Sequence, residues 1–492
     1  MISLFPSVNK LSSLLEDIVD VPIPEELCIT GLSLDSRSIK KGNLFMGMPG
    51  TKVDGRSYIE QAVLGGAKAV LLEAQDKFIE QCDIPCYQVS NLRQNVGLIA
   101  NRFFGFPSKL LCVVGFTGTN GKSTCAGLTA QALGTLGRVC DLIGTVGSGH
   151  YNSLKRASLT TPDAILLQHE LATLVNDGVD TVCMEVSSHA LDQARVKGVD
   201  FDIAVFTNLS RDHLDYHGNM SNYVATKFML FHDHGIRTAI INVSDPYGAE
   251  LIEAGIPAKI WTFGLDGEAD VYPEKSQVLT NGIRLKLSTP KGPITCEAPL
   301  LGRLNVINLV AVAATLLALD HSPSSIEHAM SKLRPITGRM ELLSKPDAPV
   351  HVVVDYAHTP VALAQALSSL REHTANQIWC VFGCGGERDQ GKRWEMGSVA
   401  DQLADRIVLT NDNPRSENPL EIIEQIDSGI QHHTPLCFPN RQEAITYAIS
   451  HAKAGDLVLI AGKGHETDQV IQTDRRPFSD HAVVNNILEE IG

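Results

Sequence analysis

The chain has 492 residues, a length typical of about three domains. Its 56 acidic and 41 basic residues give a formal net charge of −15, which argues against a protein built to bind nucleic-acid phosphates. Hydrophobic residues make up 43% of the chain, as in a folded globular protein, and the eleven cysteines are too sparse for a disulfide framework. No apolar stretch approaches the ~20 residues that span a bilayer. We therefore expect a cytoplasmic protein that neither binds nucleic acid nor inserts into a membrane.

The first 107 residues contain three strand-like segments, which read LCITGLSLDS, AKAVLLE and IPCYQVS. The pattern is interrupted at Gly105 and Pro107, two residues that commonly mark loops. We place there the end of a small N-terminal α/β domain, residues 1–107.

Seven apolar, β-rich runs in the rest of the chain are each followed at once by a polar loop. The loops read FTGTNGKST, EVSSH, NLSRDHLDYH, DYAHTP, CGGERD, NDNPRSENP and GKGHE. Strands that alternate with helical segments predict parallel sheets, in which ligands bind beyond the carboxyl ends of the strands. The sequence predicts two such domains, a central one at 108–335 and a Rossmann-like one at 336–492. The alternating pattern at 257–299 predicts antiparallel strands appended to the central domain.

The loop at 116–124, FTGTNGKST, lies between an apolar run and a helical segment. Glycines let backbone N–H groups approach phosphate oxygens, and a helix N-terminus adds favourable partial charge. Lys122 would contact the β- and γ-phosphates, and Ser123 or Thr124 would offer a hydroxyl to Mg²⁺. Phe116 replaces the first glycine of the strict phosphate-loop pattern, so the closer match is G-x-T-G-T-N-G-K-[ST] from Gly115. The motif predicts a P-loop-type domain that binds a nucleoside triphosphate.

Two further residues at predicted strand ends point to a metal. Glu185 ends the run DTVCME, and His213 lies in NLSRDHLDYH. Phosphoryl transfer to an anionic nucleophile requires neutralisation of phosphate charge, which Mg²⁺ commonly supplies. We expect Glu185 and His213 to bind this metal near Ser123.

Six motifs taken together resemble those of the Mur ligases, ATP-dependent amide-forming enzymes that build the peptide stem of bacterial peptidoglycan. The motifs are GTNGKST, EVSSH, NLSRDHLDYHG followed by Lys227, GRLNVINLVAV, DYAHTP and DNPR, and they occur in order over essentially the whole chain. The resemblance implies a monomer with three domains that adds meso-2,6-diaminopimelate to UDP-N-acetylmuramoyl-L-alanyl-D-glutamate. The D-glutamate γ-carboxylate would attack ATP to give an acyl phosphate, and the amine would then displace phosphate. Closure of the third domain would exclude water.

The resemblance also assigns residues to each substrate. Leu34 and Ser36 would bind the uridine end, and Thr51, Lys52 and Val53 occupy another contact stretch. The nucleotide would be bound by Gly118, Thr119, Asn120, Gly121, Lys122, Ser123, Thr124, Asn305, Asn308, Arg339 and Asp355. The muramoyl-dipeptide would be bound by Thr160, Thr161, Ser187, Gln193 and Arg195. Lys227 matches a lysine that is carbamylated in the family, which gives a metal set of Ser123, Glu185, His213 and carbamylated Lys227 and a catalytic set of Lys122, His213 and Lys227.

The amino-acid substrate has a distal centre with both a carboxylate and an ammonium, so its recognition requires paired charges. Arginine offers a planar fork to a carboxylate, and a carboxylate accepts from an ammonium. The predicted set is Arg388, Asp412, Asn413, Pro414, Arg415, Gly462 and Glu466. A relative that adds lysine would have no use for Arg415. The segment NPL after it also fits an ordinary helix start, with Asn418 as the cap.

Three alternatives stay open at this point. The chain is also compatible with a lysine-adding Mur ligase, or with a ligase of the folylpolyglutamate synthase type that lengthens folate with glutamate. The SLDSRSIKKGNLFMG segment and DNPR weigh against the folate reading. A nucleotide-gated binding or regulatory module would keep the phosphate loop without amide chemistry. The joint presence of Glu185, His213, Lys227, Arg388 and Arg415 disfavours such a module.

Overall fold

The computed structural model describes residues 8–50, 53–74, 82–157, 159–279, 282–345 and 348–491, so Thr51 and Lys52 lie outside the described residues. The chain divides into two compact units, residues 1–262 and 263–492. Over the described ranges, no helix has the length and hydrophobicity needed to cross a membrane. The boundaries of the three expected domains stay a prediction.

The first unit begins with a small parallel sheet. Its first strands and helices are β1 (Asn9–Lys10), α1 (Leu11–Leu14), β2 (Cys28–Ile29), β3 (Gly31–Ser33), β4 (Asn43–Gly47), α2 (Ile59–Leu64), β5 (Ala69–Glu73), β6 (Cys86–Val89) and α3 (Leu92–Phe103). Strands β3 to β6 pair in parallel in chain order, and β1 pairs with β2 in antiparallel fashion. Apolar side chains of β4 and β5, such as Leu44 and Leu71, pack with Ile99 of α3. The predicted N-terminal α/β architecture is confirmed.

The rest of the first unit is built around a seven-stranded sheet. Its strands are β7 (Cys112–Thr117), β8 (Cys140–Gly144), β9 (Gly147–His150), β10 (Thr181–Glu185), β11 (Ile203–Phe206), β12 (Thr238–Asn242) and β13 (Lys259–Phe263). Its helices are α4 (Lys122–Thr135), α5 (Ala164–Asn176), α6 (Ser188–Asp192), α7 (Leu214–His217), α8 (Met220–His232) and α9 (Pro246–Glu253). The strand order is β13-β12-β11-β7-β10-β8-β9.

Strand β7 occupies the centre of this sheet, parallel to β10 on one side and to β11 on the other. In the pairing register Glu185 lies opposite Phe116, and Phe206 lies opposite Thr117. The carboxyl ends of the three strands are therefore level. This is the edge at which a parallel sheet binds ligands, and it brings the loops after β7, β10 and β11 together.

The second unit begins with the predicted antiparallel strands. They are β14 (Tyr272–Leu279), β15 (Gly282–Ser288) and β16 (Ile294–Ala298), followed by α10 (Leu304–Ala318) and α11 (Pro323–Met330). Alternation along β15 buries Ile283, Leu285 and Leu287, while Arg284 and Lys286 are exposed. The period-2 pattern in the sequence is thus the signature of a sheet with one buried face.

A second parallel sheet follows. Its strands are β17 (Glu341–Leu342), β18 (His351–Asp355), β19 (Ile378–Phe382), β20 (Arg406–Thr410), β21 (Leu436–Phe438) and β22 (Leu457–Ala461), and a hairpin of β23 (Asp468–Ile471) and β24 (Asp474–Pro477) comes after them. Its helices are α12 (Pro360–Arg371), α13 (Gly391–Leu403), α14 (Pro419–Asp427), α15 (Arg441–His451) and α16 (Asp480–Ile491). The order is β17-β18-β22-β19-β20-β21, with only β17 antiparallel among the described strands.

Both faces of this sheet are buried, one under α12, α13 and α14 and the other under α15 and α16. All five residues of β19 and of β22 are buried. Such continuous apolar runs are typical of parallel strands covered by helices on both sides. Asn418 accepts a hydrogen bond from the backbone N–H of Leu420, and Pro419 is the first residue of α14, as predicted.

Candidate active site

The phosphate loop connects β7 to α4 through residues 118–121. Gly118 and Gly121 have positive φ values of +145° and +84°. A Cβ atom at Gly118 would lie 2.0 Å from Thr207 Oγ1, so a side chain is excluded there. Phe116, which replaces the expected glycine, is fully buried within β7 and takes no part in the loop. The loop therefore turns at Gly118, whereas Gly115, expected to lengthen the loop by one residue, lies within β7.

Residues after β11 support the loop from one side. Asn208 accepts from the backbone N–H groups of Thr119 and Asn120, through its own carbonyl at 2.8 Å and its side-chain oxygen at 3.0 Å. Thr207 donates to the carbonyl of Asn120 at 2.7 Å, and Tyr223 of α8 contacts the Thr119 hydroxyl at 3.1 Å. These contacts fix the loop before any ligand binds. Sequence reasoning did not single out Thr207, Asn208 or Tyr223, although Thr207 ends a predicted strand and Asn208 directly follows it.

Two lysines converge on one carbonyl of the loop. Lys122 Nζ donates to the carbonyls of Gly118 and Thr119, both at 2.9 Å, and Lys227 Nζ donates to the same Gly118 oxygen at 2.8 Å. Lys227 is 1% exposed, on α8 as predicted. Burial, with the nearby Lys122 ammonium, holds the pKa of Lys227 well below its ordinary value. Lys227 is therefore a buried amine that gives up its proton more readily than an exposed lysine does.

Ser123 and Glu185, two residues of the predicted metal set, are in contact. Ser123 Oγ donates to Glu185 Oε2 at 2.9 Å, and both residues are buried. Glu185 is the last residue of β10 rather than part of the following loop. Thr145 donates to both carboxylate oxygens, from its backbone N–H at 2.7 Å and from its hydroxyl at 3.1 Å. Hydroxyl and carboxylate oxygens are the ligands that Mg²⁺ prefers, so this pair fits that ion.

His213 is not in contact with that pair. It has a φ of +53°, its ring is half exposed, and its Nε2 lies 3.4 Å from the Asp212 carboxylate. Its ring packs edge-on against His189 at 4.9 Å. Burial lowers the pKa of His213, and therefore favours the neutral imidazole that a metal requires. Within the described residues, no group of three or more His, Cys, Asp or Glu side chains is arranged to hold a metal ion.

The residues expected to contact the muramoyl-dipeptide form one connected network beside β10. Thr161 donates to the Glu185 carbonyl at 2.8 Å and accepts from the backbone N–H of Ser187 at 3.1 Å. Arg195 donates to the Thr161 carbonyl at 3.1 Å and to the Gln193 side chain. Thr160 joins the network through its hydroxyl, which lies 3.0 Å from the Thr145 hydroxyl. The structure thus brings these predicted substrate contacts next to Glu185.

The remaining predicted contacts lie in separate parts of their units. Ser36 is buried and donates to Gln61 at 2.8 Å, while Leu34 packs against the core of the N-terminal sheet. In α10, Asn308 donates to Asn305 at 2.9 Å, and Asn305 donates to the Leu301 carbonyl at 2.7 Å.

Arg339 and Asp355 lie together at the carboxyl end of β18. Asp355 accepts from the backbone N–H groups of Met340 and Ala357, and the Arg339 guanidinium lies 4.6 Å from the centre of the Tyr356 ring. Burial raises the pKa of Asp355 in spite of the neighbouring Arg339 and these hydrogen bonds.

The predicted amino-acid site lies at the carboxyl ends of β20 and β22. Asp412 is only 8% exposed, and its carboxylate makes no hydrogen bond or ion pair with the described residues. A Cβ atom on Gly462 would approach Asp412 Oδ2 to 2.6 Å. Arg415 is half-buried, with a φ of +51°, and its Nη1 donates to the Gly386 carbonyl at 2.7 Å. The site therefore contains a buried carboxylate and an arginine that still offers donors.

Glu466 and Asn413 are held by a lysine that sequence reasoning did not single out. Lys463 is fully buried, and its Nζ donates to Glu466 Oε2 at 2.8 Å and to Asn413 Oδ1 at 3.2 Å. Asn413 Nδ2 also donates to Glu466 Oε2, at 2.8 Å. Although burial opposes ionisation, Lys463 and Asn413 hold the pKa of Glu466 below its ordinary value. Arg388, in contrast, is exposed and makes no hydrogen bond or ion pair with the described residues.

Two further buried arginines support this site without facing it. Arg441 forms a two-pronged ion pair with Asp480, at 2.7 and 2.8 Å, and donates to the carbonyls of Asn411, directly after β20, and of Ala461, the last residue of β22. Arg393 is also fully buried and donates to Glu417 in the loop that follows Arg415. These pairs fix the loops on which the predicted recognition residues lie.

One parallel sheet has at its centre a phosphate loop held by hydrogen bonds from neighbouring residues, and a second has paired charges at its strand ends. These features define a nucleotide-dependent α/β enzyme. Comparison with known families specifies it further. The Mur ligase family catalytic domain matches residues 28–104, the Mur ligase middle domain residues 116–316, and the Mur ligase glutamate ligase domain residues 338–464. The chain belongs to the Mur ligase family and is therefore an ATP-dependent ligase.

Individual relatives agree with this classification. UDP-N-acetylmuramoyl-L-alanyl-D-glutamate–2,6-diaminopimelate ligase of Coxiella burnetii is 44% identical over 481 residues, covering 96% of this chain and 98% of its own. The protein of the same name from Pseudomonas aeruginosa is 45% identical over 458 residues, or 92% and 94% of the two chains. A solved structure with that name superposes with a TM-score of 0.73 at 34% identity, over 98% of this chain and 99% of the other.

Proposed function

We propose that the protein joins meso-2,6-diaminopimelate to UDP-N-acetylmuramoyl-L-alanyl-D-glutamate at the expense of ATP. The proposal is supported by the relatives of that name and by the charges at the ends of β20 and β22. The muramoyl-dipeptide would be bound through the Thr160, Thr161, Ser187, Gln193 and Arg195 network, and the uridine through Leu34 and Ser36. ATP would be bound by the phosphate loop, with Asn305, Asn308, Arg339 and Asp355 as further contacts.

The observation that carries the amino-acid assignment is the carboxylate of Asp412, which no described residue engages. Asp412 is largely buried, and because its carboxylate accepts no hydrogen bond from the described residues, both of its oxygens remain available to a ligand that supplies donors. An ammonium is such a ligand, and Glu466 Oε1 is a second acceptor with no hydrogen bond from the described residues. The opposite end of the substrate needs donors for a carboxylate, which Arg415 and the exposed Arg388 provide. Together these residues match the ammonium and carboxylate of a distal amino-acid centre.

The reaction follows from what an amide bond requires. The D-glutamate γ-carboxylate attacks the γ-phosphorus of ATP, the bond to the β-γ bridging oxygen breaks, and ADP leaves. The uncharged amine of diaminopimelate then attacks the acyl phosphate carbonyl, the C–O bond to phosphate breaks, and the amine proton is lost to solvent. Lys122 stabilises the charge that develops on the transferred phosphoryl group.

A magnesium site is supported by the hydroxyl of Ser123 and the carboxylate of Glu185, which offer the oxygen ligands that Mg²⁺ prefers. These two residues would hold it, with His213 as a further ligand, and Mg²⁺ supplies charge neutralisation at the phosphates when bound. Lys227 would contribute as a carbamate. Carbamate formation needs an uncharged amine to attack CO₂, and the buried, pKa-depressed Lys227 meets that requirement.

An acceptor panel tests the function directly. Phosphate release from ATP is measured with the UDP-muramoyl-dipeptide and one amino acid at a time, with meso-diaminopimelate, lysine and glutamate as alternatives and a folate acceptor as a separate arm. We expect release only when the UDP-muramoyl-dipeptide and diaminopimelate are both present. Preference for lysine, or turnover on the folate acceptor, would contradict the proposal, and the absence of turnover with every acceptor would favour a regulatory module.

A further inference from the structure

Lys463 lies in the loop after β22 and contacts two of the predicted recognition residues, Asn413 and Glu466. Its side chain is fully buried. Its ammonium donates to Glu466 Oε2 at 2.8 Å, to Asn413 Oδ1 at 3.2 Å and to the Asp468 carbonyl at 2.7 Å. A lysine ammonium has three N–H donors, so these three contacts use all of them. Lys463 therefore has no donor left for a substrate.

The three contacts join three separate pieces of chain. Asn413 belongs to the loop after β20, Glu466 to the loop after β22, and Asp468 begins the β23–β24 hairpin. The same hairpin holds the loop after β20 through backbone and side-chain hydrogen bonds. Val470 N–H donates to Asn413 Oδ1 at 2.9 Å, Gln469 donates to the Asp412 carbonyl at 2.7 Å, and Arg415 N–H donates to the Val470 carbonyl at 3.0 Å.

Lys463 also determines which oxygen of Glu466 is available. Both Lys463 and Asn413 donate to Oε2, whereas Oε1 receives no hydrogen bond from the described residues. The carboxylate is thereby held ionised and oriented with one oxygen committed to the protein. Charged groups fixed in this way bind a ligand without first losing rotational freedom.

We infer that Lys463 is a positioning residue for amino-acid recognition, which orients Glu466 and fixes the Asp412–Arg415 loop without touching the substrate. The inference rests on the proposed function, because Glu466 is assigned there to the ammonium of diaminopimelate. It adds that specificity at this site depends on a buried cation behind the recognition residues.

The test is Lys463→Met, which keeps most of the length of the side chain and removes its charge. We expect the KM for diaminopimelate to rise about tenfold to a hundredfold, the range for loss of one charge-assisted hydrogen bond. The KM values for ATP and the UDP-muramoyl-dipeptide should change less than about threefold. Lys453→Met is the matched control, because Lys453 is exposed in the same sheet domain and its side chain makes no hydrogen bond with the described residues.

A pH profile separates positioning from a merely structural effect. The charged or titratable groups that act on Glu466 or respond to it include Lys463, His465, Tyr356 and Arg441. Removal of Lys463 should raise the pKa of Glu466, so the acid limb of kcat/KM for diaminopimelate should move to higher pH. A structural defect would lower all three kcat/KM values together and leave the acid limb in place, and that result would overturn the inference.

Glu466→Gln is the second variant, and it serves as the background in which the effect of Lys463→Met is measured again. If Lys463 acts largely through Glu466, adding Lys463→Met to Glu466→Gln should raise the KM for diaminopimelate by less than the same change does in the wild-type background, since only the contacts with Asn413 and Asp468 remain to be lost. A further loss as large as in the wild-type background would overturn the inference. Wild-type protein that releases no phosphate in response to diaminopimelate would overturn the proposed function itself, a result distinct from either outcome with the variants.

Discussion

Replacement of Arg415 by alanine tests the recognition of the distal carboxylate. Arg415 Nη1 already donates to the Gly386 carbonyl at 2.7 Å, which leaves Nη2 and Nε to face a ligand carboxylate. Two charge-assisted hydrogen bonds contribute about 1.5–3 kcal/mol each, and a half-buried site takes the lower value. We expect a loss of about 3 kcal/mol, or roughly a hundredfold in kcat/KM for diaminopimelate.

The alanine variant isolates the guanidinium from the backbone. Arg415 has a φ of +51°, a left-handed conformation that alanine and arginine adopt at a similar cost, so the loop conformation is not relieved as it would be by glycine. Arg415→Lys keeps the charge but loses the planar fork, and should lose about tenfold.

The assay is phosphate release with the amino acid varied and the other substrates saturating. Lysine has no distal carboxylate, so its low kcat/KM should change less than about threefold in Arg415→Ala. Arg476→Ala is the control, since Arg476 is exposed on β24. The reasoning would be refuted if the KM for ATP rose as much as that for diaminopimelate, or if Arg415→Ala left diaminopimelate use unchanged.

Three further predictions follow from the same structure. Gly118→Ala should abolish ATP binding, measured by calorimetry, because its Cβ would lie 2.0 Å from the Thr207 hydroxyl oxygen. The control is Gly137→Ala, whose Cβ would have no heavy atom within 4 Å and which should bind ATP normally. Equal ATP binding by the two variants would contradict the loop geometry. Lys227→Ala should be inactive but partly recover activity with added short carboxylates, and a folded variant that no carboxylate restores would count against the carbamate. Burial opposes ionisation of Asp401, but backbone N–H groups and a histidine ring lower its pKa from 3.8 to about 2, so Asp401→Asn should lose about 2 kcal/mol of unfolding free energy at pH 7. Because the pKa is depressed in the folded state, this loss should fade between about pH 4 and pH 2 in urea unfolding, with exposed Asp427→Asn as control, and a pH-independent loss would refute it.

The sequence predicted the elements that are dense in β-branched residues. All seven apolar runs that precede polar loops are strands of parallel sheets, because a covered parallel strand requires an uninterrupted apolar run. Strand β4, whose sequence is NLFMG, and the β23–β24 hairpin, which is mostly polar, were not predicted. Their positions are set by pairing with neighbours rather than by their own residue preferences.

The residues of the candidate site also differ in how far they could be predicted from the sequence. Lys122, Ser123, Glu185 and Asp412 could be identified because each directly follows or ends a recognisable strand or loop. The supporting pairs could not, since Arg441 and Asp480 are 39 residues apart and only the fold brings them together. His213 was predicted from its position after β11 to bind a metal near Ser123; in the structure its ring lies against Asp212 and His189, and its role as a metal ligand stays a prediction.

The most direct test of the account is an isotope measurement of the activated carboxylate. UDP-N-acetylmuramoyl-L-alanyl-D-glutamate labelled with ¹⁸O in the γ-carboxylate is incubated with ATP and diaminopimelate, and the phosphate and tripeptide products are analysed by mass spectrometry. Formation of an acyl phosphate predicts that each phosphate released carries one oxygen from the carboxylate. Unlabelled phosphate, released by attack of water on ATP, would contradict it.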